Sequence, residues 1–197
     1  MAAVPEPKLS PEEYLANERQ AETKHEYLDG EVYAMAGASE AHNLIVANLI
    51  REVGNRLRGG RCRVYPSDMR LQVEETGLFT YPDVMVVCDR PRFVDGARDT
   101  LLNPQVIFEV LSESTEANDR GWKWAHYRHL DSLAEYVLVA QDRCQVEHFV
   151  RQPDGSWLFR DYRGLEDTLP LPTLGCEIPL SEIYTLVEFG QGGNSTD

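Results

Sequence analysis

The sequence predicts an α/β domain of the α+β-like kind, built on a mixed sheet. Three observations carry that expectation. Short runs rich in β-branched and aromatic residues, each the length of a strand, recur along most of the chain. Helical patterns break these runs into groups instead of alternating with them one by one, which argues against a doubly wound parallel sheet. No internal repeat and no low-complexity linker divides the 197 residues, a length that suits one domain.

Taken in order, Ser10-Pro11-Glu12-Glu13 reads as a helix start. Ser10 can cap, Pro11 suits the first helical position, and Glu13 completes a capping box. That helix is expected to run from residue 11 to about residue 20. The runs 25–28 and 31–35 flank Asp29-Gly30, a two-residue hairpin signal. Ser39 opens a second helix, in which Ile45, Leu49, Val53 and Leu57 recur every four residues, and Gly59-Gly60 ends it. Strands are expected at 62–65, 69–73, 81–88 and 105–111, with the charged, Pro- and Gly-containing stretch 90–103 as a loop. A third helix spans about 117–130. Strands at 135–140, 145–151 and 157–162 follow, the last two joined through Pro153-Asp154-Gly155. A short helix at 181–187 closes a domain of residues 1–189, and 190–197 read as a flexible tail.

Composition narrows the function classes. The chain carries 19 Lys+Arg against 33 Asp+Glu, a formal net charge of −14. Hydrophobic content of 42% supports a sizeable core and is too high for a disordered acidic chain. The charge argues against a protein that coats nucleic acid nonspecifically, but leaves room for an enzyme with a small basic groove. No apolar run approaches the ~20 residues of a membrane span, and residues 1–10 show no apolar signal core, so a cytoplasmic location is expected. The four cysteines, Cys62, Cys88, Cys144 and Cys176, form no Cys-x-x-Cys and have no His at zinc-finger spacing. Cys62 and Cys88 lie in apolar runs and are expected as reduced core residues, in keeping with a reducing compartment.

A Gly-rich phosphate loop, Gly-x-Ser-x-Gly and His-Glu-x-x-His are all absent. What remains is a set of acids in unusual places. Asp83 heads the apolar run Val84-Met85-Val86-Val87-Cys88, and Glu109 interrupts Gln105-Val106-Ile107-Phe108-Glu109-Val110-Leu111. A strand buried on both faces should carry no carboxylate without a partner. Two such acids projecting toward one point make a divalent-metal site for a hard cation such as Mg²⁺. The alternative is that both lie near strand ends, solvated or paired with Arg.

At this point the residues resemble a known family. Asp29-Gly30-Glu31, His42, Tyr81-Pro82-Asp83-Val84, the run from Glu109 to Thr115, Asp119, Lys123, Tyr127 and Glu135-Tyr136-Val137-Leu138-Val139 together resemble the Uma family of restriction endonucleases, within the PD-(D/E)xK nuclease superfamily. The resemblance covers about residues 10–187. It implies a restriction-endonuclease-like core with an N-terminal helix and hairpin and extra C-terminal strands. It implies a Mg²⁺- or Mn²⁺-dependent DNA endonuclease, acting as a homodimer. One position departs from the broad superfamily pattern: two residues after Glu109, where a lysine is expected, stands Leu111. The Uma family resembles this chain there, with a lysine from the following helix, and Lys123 matches it. The other two lysines, Lys8 and Lys24, lie before the hairpin.

The resemblance makes Asp83, Glu109 and Lys123 catalytic, with Asp83, Glu109 and the Val110 carbonyl as metal ligands. Lys123 either orients water and stabilises developing charge or forms an i,i+4 ion pair with Asp119. Tyr127 shares its face. Glu52 either adds a ligand or lies on a solvated helix face. Glu26 is a supporting candidate on the hairpin, and His42 either contacts a phosphate or caps its helix. Arg51, Arg56, Arg58, Arg61 and Arg63 form a local basic run suited to DNA. Trp122, Lys123, Trp124, His126, Arg128 and His129 form a second basic and aromatic cluster. The competing expectation is a non-catalytic DNA-binding or accessory module that keeps the nuclease fold.

Overall fold

The computed structural model describes residues 8–35 and 37–189. The expected tail, 190–197, lies outside the described residues. Helix α1 (Pro11–Glu18) begins as its sequence dictates: Ser10 Oγ accepts the Glu13 N–H at 3.2 Å, and Glu13 accepts the Ser10 N–H at 2.8 Å. It turns Tyr14 inward against Tyr27 and Phe79, ring centroids 4.8 and 5.3 Å away. Strands β1 (His25–Leu28) and β2 (Glu31–Ala34) form the hairpin. Asp29 and Gly30 both take positive φ, 50° and 85°, which is why Asp-Gly is preferred between paired strands. In α2 (Glu40–Arg56), Ser39 caps by accepting the His42 N–H at 3.1 Å. Ile45, Leu49 and Val53 form the buried stripe that their spacing predicts.

The rest of the chain gives β3 (Arg63–Pro66), β4 (Arg70–Val73), β5 (Leu78–Thr80), β6 (Val84–Val87), β7 (Thr100–Leu101) and β8 (Val106–Leu111). A π-helical turn, Asn118–Lys123, leads into α3 (Trp124–Tyr127). Then come β9 (Glu135–Ala140), β10 (Val146–Arg151), β11 (Trp157–Tyr162), β12 (Thr168–Leu171), β13 (Cys176–Pro179) and α4 (Leu180–Ile183). The larger sheet has the order β11-β10-β9-β8-β6-β3, the smaller β2-β1-β5-β4-β7, and β12-β13 stand apart as a hairpin. The expected α/β class with a mixed sheet is what the chain adopts: β8 and β9 are parallel, while β6 pairs antiparallel with β8.

Period-2 alternation builds two cores from the larger sheet. Val84, Val86, Val106, Phe108, Val110, Val137 and Val139 face α2, β13 and α4. Met85, Val87, Ile107, Leu111, Tyr136 and Leu138 face the other way and pack with Leu71, Leu78 and Tyr127. Glu109, between Phe108 and Val110, is thereby set on the Tyr127 side. The parallel β8–β9 pair needs a crossover, and that crossover is the turn and helix carrying Lys123 and Tyr127.

Several elements differ from the sequence reading. The expected strand 81–88 is shorter and belongs to one sheet, while β5 just before it belongs to the other; Tyr81-Pro82-Asp83 is the crossing, and Pro82 has no N–H for a ladder. The 90–103 stretch contains β7, which pairs parallel with β4. The β12–β13 hairpin was not foreseen, because Pro170 and Pro179 mask its strand signal. Cys62 and Cys88 are joined in a disulfide instead of being reduced core thiols. They flank the Arg63–Val87 cross-strand pair, which sets them opposite one another on neighbouring strands. Cys144 and Cys176 are free. Among the described residues, no helix is long and apolar enough to cross a membrane.

Candidate active site

Asp83 and Glu109 come together through the main chain. Asp83 Oδ2 accepts the Val110 N–H at 2.7 Å, and Glu109 Oε2 accepts the Asp83 N–H at 3.3 Å. Glu109 sits at the middle of fully buried β8, Asp83 at the start of fully buried β6. From the crossover, Lys123 Nζ donates to Glu109 Oε1 at 3.2 Å, and Tyr127 Oη donates to the same oxygen at 2.7 Å. The i,i+4 ion pair from Lys123 to Asp119 also forms, at 2.9 Å, so the two readings of Lys123 coexist. Glu26 on β1 lies 3.5 Å from the ammonium and accepts from Thr80 Oγ1 at 2.5 Å. His42, on the first turn of α2, sets Nε2 3.2 Å from Asp83 Oδ2. It thus faces an acid besides helping to start its helix.

Electrostatics dominates this cluster. Glu109, Asp119 and Glu26 gather around one ammonium and are buried with it, and Asp83 stands beside Glu109. Burial, with added repulsion from Asp119 and Asp83, pushes the Glu109 carboxyl up to about 8, although Lys123 and the Tyr127 hydroxyl pull it down. Burial likewise raises Asp119, against the pull of Lys123. Burial opposes the Lys123 charge, but Glu109, Asp119 and Glu26 outweigh it and hold the ammonium well above the usual lysine range. Burial and then the Glu109 charge keep the Tyr127 phenol protonated, so it donates.

The donor chemistry suits a hard divalent cation: two neighbouring carboxylates, with Val110 lining the same cleft and negative charge in excess. Among the described residues, no three His, Cys, Asp or Glu side chains are arranged as a preformed metal centre. That is compatible with Mg²⁺, which is commonly held by one or two carboxylates, waters and substrate phosphates.

The other expected residues lie elsewhere. Glu52 is ten residues along α2 from His42, about 15 Å at 1.5 Å per residue. There it pairs with Arg51 at 2.9 Å and with Arg56, whose hydrogen bonds hold its carboxyl below the usual range. Arg51, Arg56, Arg58, Arg61 and Arg63 do not line the Asp83–Glu109 cleft. Arg61 and Arg63 border a separate depression with Cys62 and Cys88. Trp124 stacks on Tyr136 in the core, 5.4 Å between centroids, whereas Trp122 lines the cleft. Asp119 and Thr80 are the members that sequence reasoning did not place in the site. Asp119 carried a signal, since it precedes Lys123 by four residues and Tyr127 by eight on one helical face.

Comparison with known proteins finds relatives in sequence and in fold. A protein of Synechocystis sp., described only as uncharacterized, is 40% identical over 187 residues, covering 95% of this chain and 97% of its own. A second from the same organism is 39% identical over 160 residues, covering 79% and 88%. The fold matches the crystal structure of a putative nuclease belonging to DUF820 from Anabaena variabilis, with a TM-score of 0.75 at 14% identity over 91% of this chain and 99% of that one. The sequence model of the Uma2 family, described as putative restriction endonuclease, matches residues 11–181, and the chain belongs to that family.

Proposed function

We propose that this protein is a metal-dependent DNA endonuclease, with residues 1–189 as one PD-(D/E)xK-like nuclease domain. The observation that carries this reading is the meeting of Asp83 and Glu109 from two buried strands, with Lys123 on the Glu109 carboxylate. An ion held by Asp83, Glu109 and the Val110 carbonyl would supply Lewis acidity toward a scissile phosphate. Magnesium or manganese suits those oxygens. The protein's own groups do the rest. The Val110 N–H and His42 aim the Asp83 carboxylate. Tyr127 fixes Glu109 from behind, and Lys123 provides positive charge where negative charge develops on the phosphate. A homodimer belongs to this reading: β11 is an edge strand of the larger sheet, and Phe159 on it is 50% exposed toward a second copy.

The test is nicking of supercoiled plasmid with Mg²⁺ or Mn²⁺, with Asp83→Ala as control. Cleavage that needs the metal and is lost in Asp83→Ala supports the proposal. Undiminished cleavage in the variant refutes the site. A second reading, a non-catalytic DNA-binding module, draws on the engagement of Lys123 by three carboxylates. Calorimetry separates the two, because the module binds no divalent ion at millimolar metal and cuts nothing.

A further inference from the structure

The cluster lies at the floor of a cavity of about 970 Å³. Its reactive groups are recessed: the side chains of Asp83, Glu109 and Lys123 are 16%, 3% and 7% exposed. The volume sits at the upper end of the roughly 300–1,000 Å³ typical of small-ligand pockets. A double helix, wider than its ~12 Å major groove, would lie across the mouth of such a space and leave its phosphates above the recessed groups. One unpaired strand does. Two aromatic rings line the cavity, Tyr33 exposed and Trp122 partly buried. Tyr33, on edge strand β2, is 47% exposed. It is the cross-strand partner of Glu26, so it shares the face that meets Lys123. Its hydroxyl is tied to Glu31. Trp122, next to Lys123, lines the same cavity and meets the His126 ring edge-on, 5.0 Å between centroids. Cations are scarce here. Apart from Lys123, the basic groups lining the cavity among the described residues are Lys24 and His42, already paired with Asp68 at 2.5 Å and with Asp83 at 3.2 Å.

We infer that the cleft accepts an unpaired nucleotide of single-stranded DNA, its base stacked on Trp122 with Tyr33 as the second platform. This rests on the nuclease reading and adds the substrate form. Binding then comes from stacking more than from phosphate neutralisation. The expected salt slope is shallow, near −1 for one or two phosphates at about −0.7 each.

The experiment is fluorescence anisotropy of the full-length protein in Ca²⁺ with a labelled 12-mer, single-stranded and as a blunt duplex. Manganese-dependent cleavage of both forms is measured alongside. The single strand should bind at least tenfold tighter than the duplex. Trp122→Ala and Tyr33→Ala should each weaken it roughly 5- to 100-fold, the range of base–aromatic stacking, and Trp122→Phe should restore most of the loss. Tyr33→Ala removes an exposed side chain and keeps the test decisive if Trp122→Ala unfolds. Equal affinity for duplex overturns the inference, as does binding within twofold of wild type in both alanine variants. If Asp83-dependent duplex cutting persists unchanged in those variants, this inference alone falls. If neither form binds or is cut, the nuclease reading falls with it.

Discussion

Glu109→Gln should make the metal-free protein more stable at neutral pH while abolishing its proposed activity. Glu109 is fully buried and its carboxyl is pushed up to about 8 from 4.5, by burial first and by Asp119 and Asp83 next. An acid raised in this way keeps its proton in the native protein where the unfolded chain has shed it. Its contribution is therefore undiminished below about pH 4.5, and stability drains away as pH climbs toward 8. At about 1.4 kcal/mol per pH unit, the loss by pH 7 is about 3 kcal/mol. Gln forfeits part of that gain, because an amide NH2 in the place of Glu109 Oε2 cannot accept the Asp83 N–H. A net gain of about 1–2 kcal/mol is expected, or roughly 2–8 °C in Tm for a chain of this size. Thermal melts in EDTA across pH 5–9 are the assay. The variant should melt with wild type at pH 5 and above it at pH 8, and millimolar Mn²⁺ should narrow the gap by stabilising wild type alone. A variant less stable at every pH, or a gap that does not grow with pH, would refute the electrostatic account.

Three further outcomes follow from the geometry. Tyr127→Phe removes the 2.7 Å hydrogen bond to Glu109 in a buried site, and urea titration should show a loss of about 1–3 kcal/mol. Cys62→Ser opens a 26-residue separation closed by the disulfide, for an expected cost of roughly 3–4 kcal/mol. Excess reductant should lower the wild-type Tm comparably and leave the variant unmoved. His148→Leu takes the imidazole, 2.7 Å away, from the buried Glu135 carboxyl and leaves it the Thr173 N–H, at an expected cost of about 1–3 kcal/mol. The double variant Glu135→Leu/His148→Leu should recover most of that loss in the same urea titration.

Much of the fold was legible because local rules agreed with tertiary demands. The Ser10 capping box, the Asp29-Gly30 turn and the Ile45-Leu49-Val53 stripe each fold as their residue types require. The acids in apolar strands were legible for the opposite reason: a carboxylate at Glu109 conflicts with the apolar β8 around it, and a conflict of that kind singles out a candidate site. Errors arose where pairing, not local pattern, decided. Residues 81–88 read as one strand, yet their first three cross between the sheets of β5 and β6. Thr100 and Leu101 become strand only because Arg70 and Leu71 lie beside them. The β12–β13 hairpin forms despite prolines that argue against it.

Sequence by itself determined which chemistry is present: two carboxylates in apolar strands, three lysines in all, and a helix placing Lys123 and Tyr127 on one face. Tertiary structure alone decided the partners. The parallel β8–β9 crossover lays that helix over Glu109, and the hairpin brings Glu26 to Lys123 from far along the chain. It also separated the arginine run from the cleft, because α2 carries His42 at one end and Arg56 at the other, about 21 Å apart at 1.5 Å per residue. Residue type sets what a group can do, but desolvation and neighbouring charge, which only folding assigns, set whether it does so.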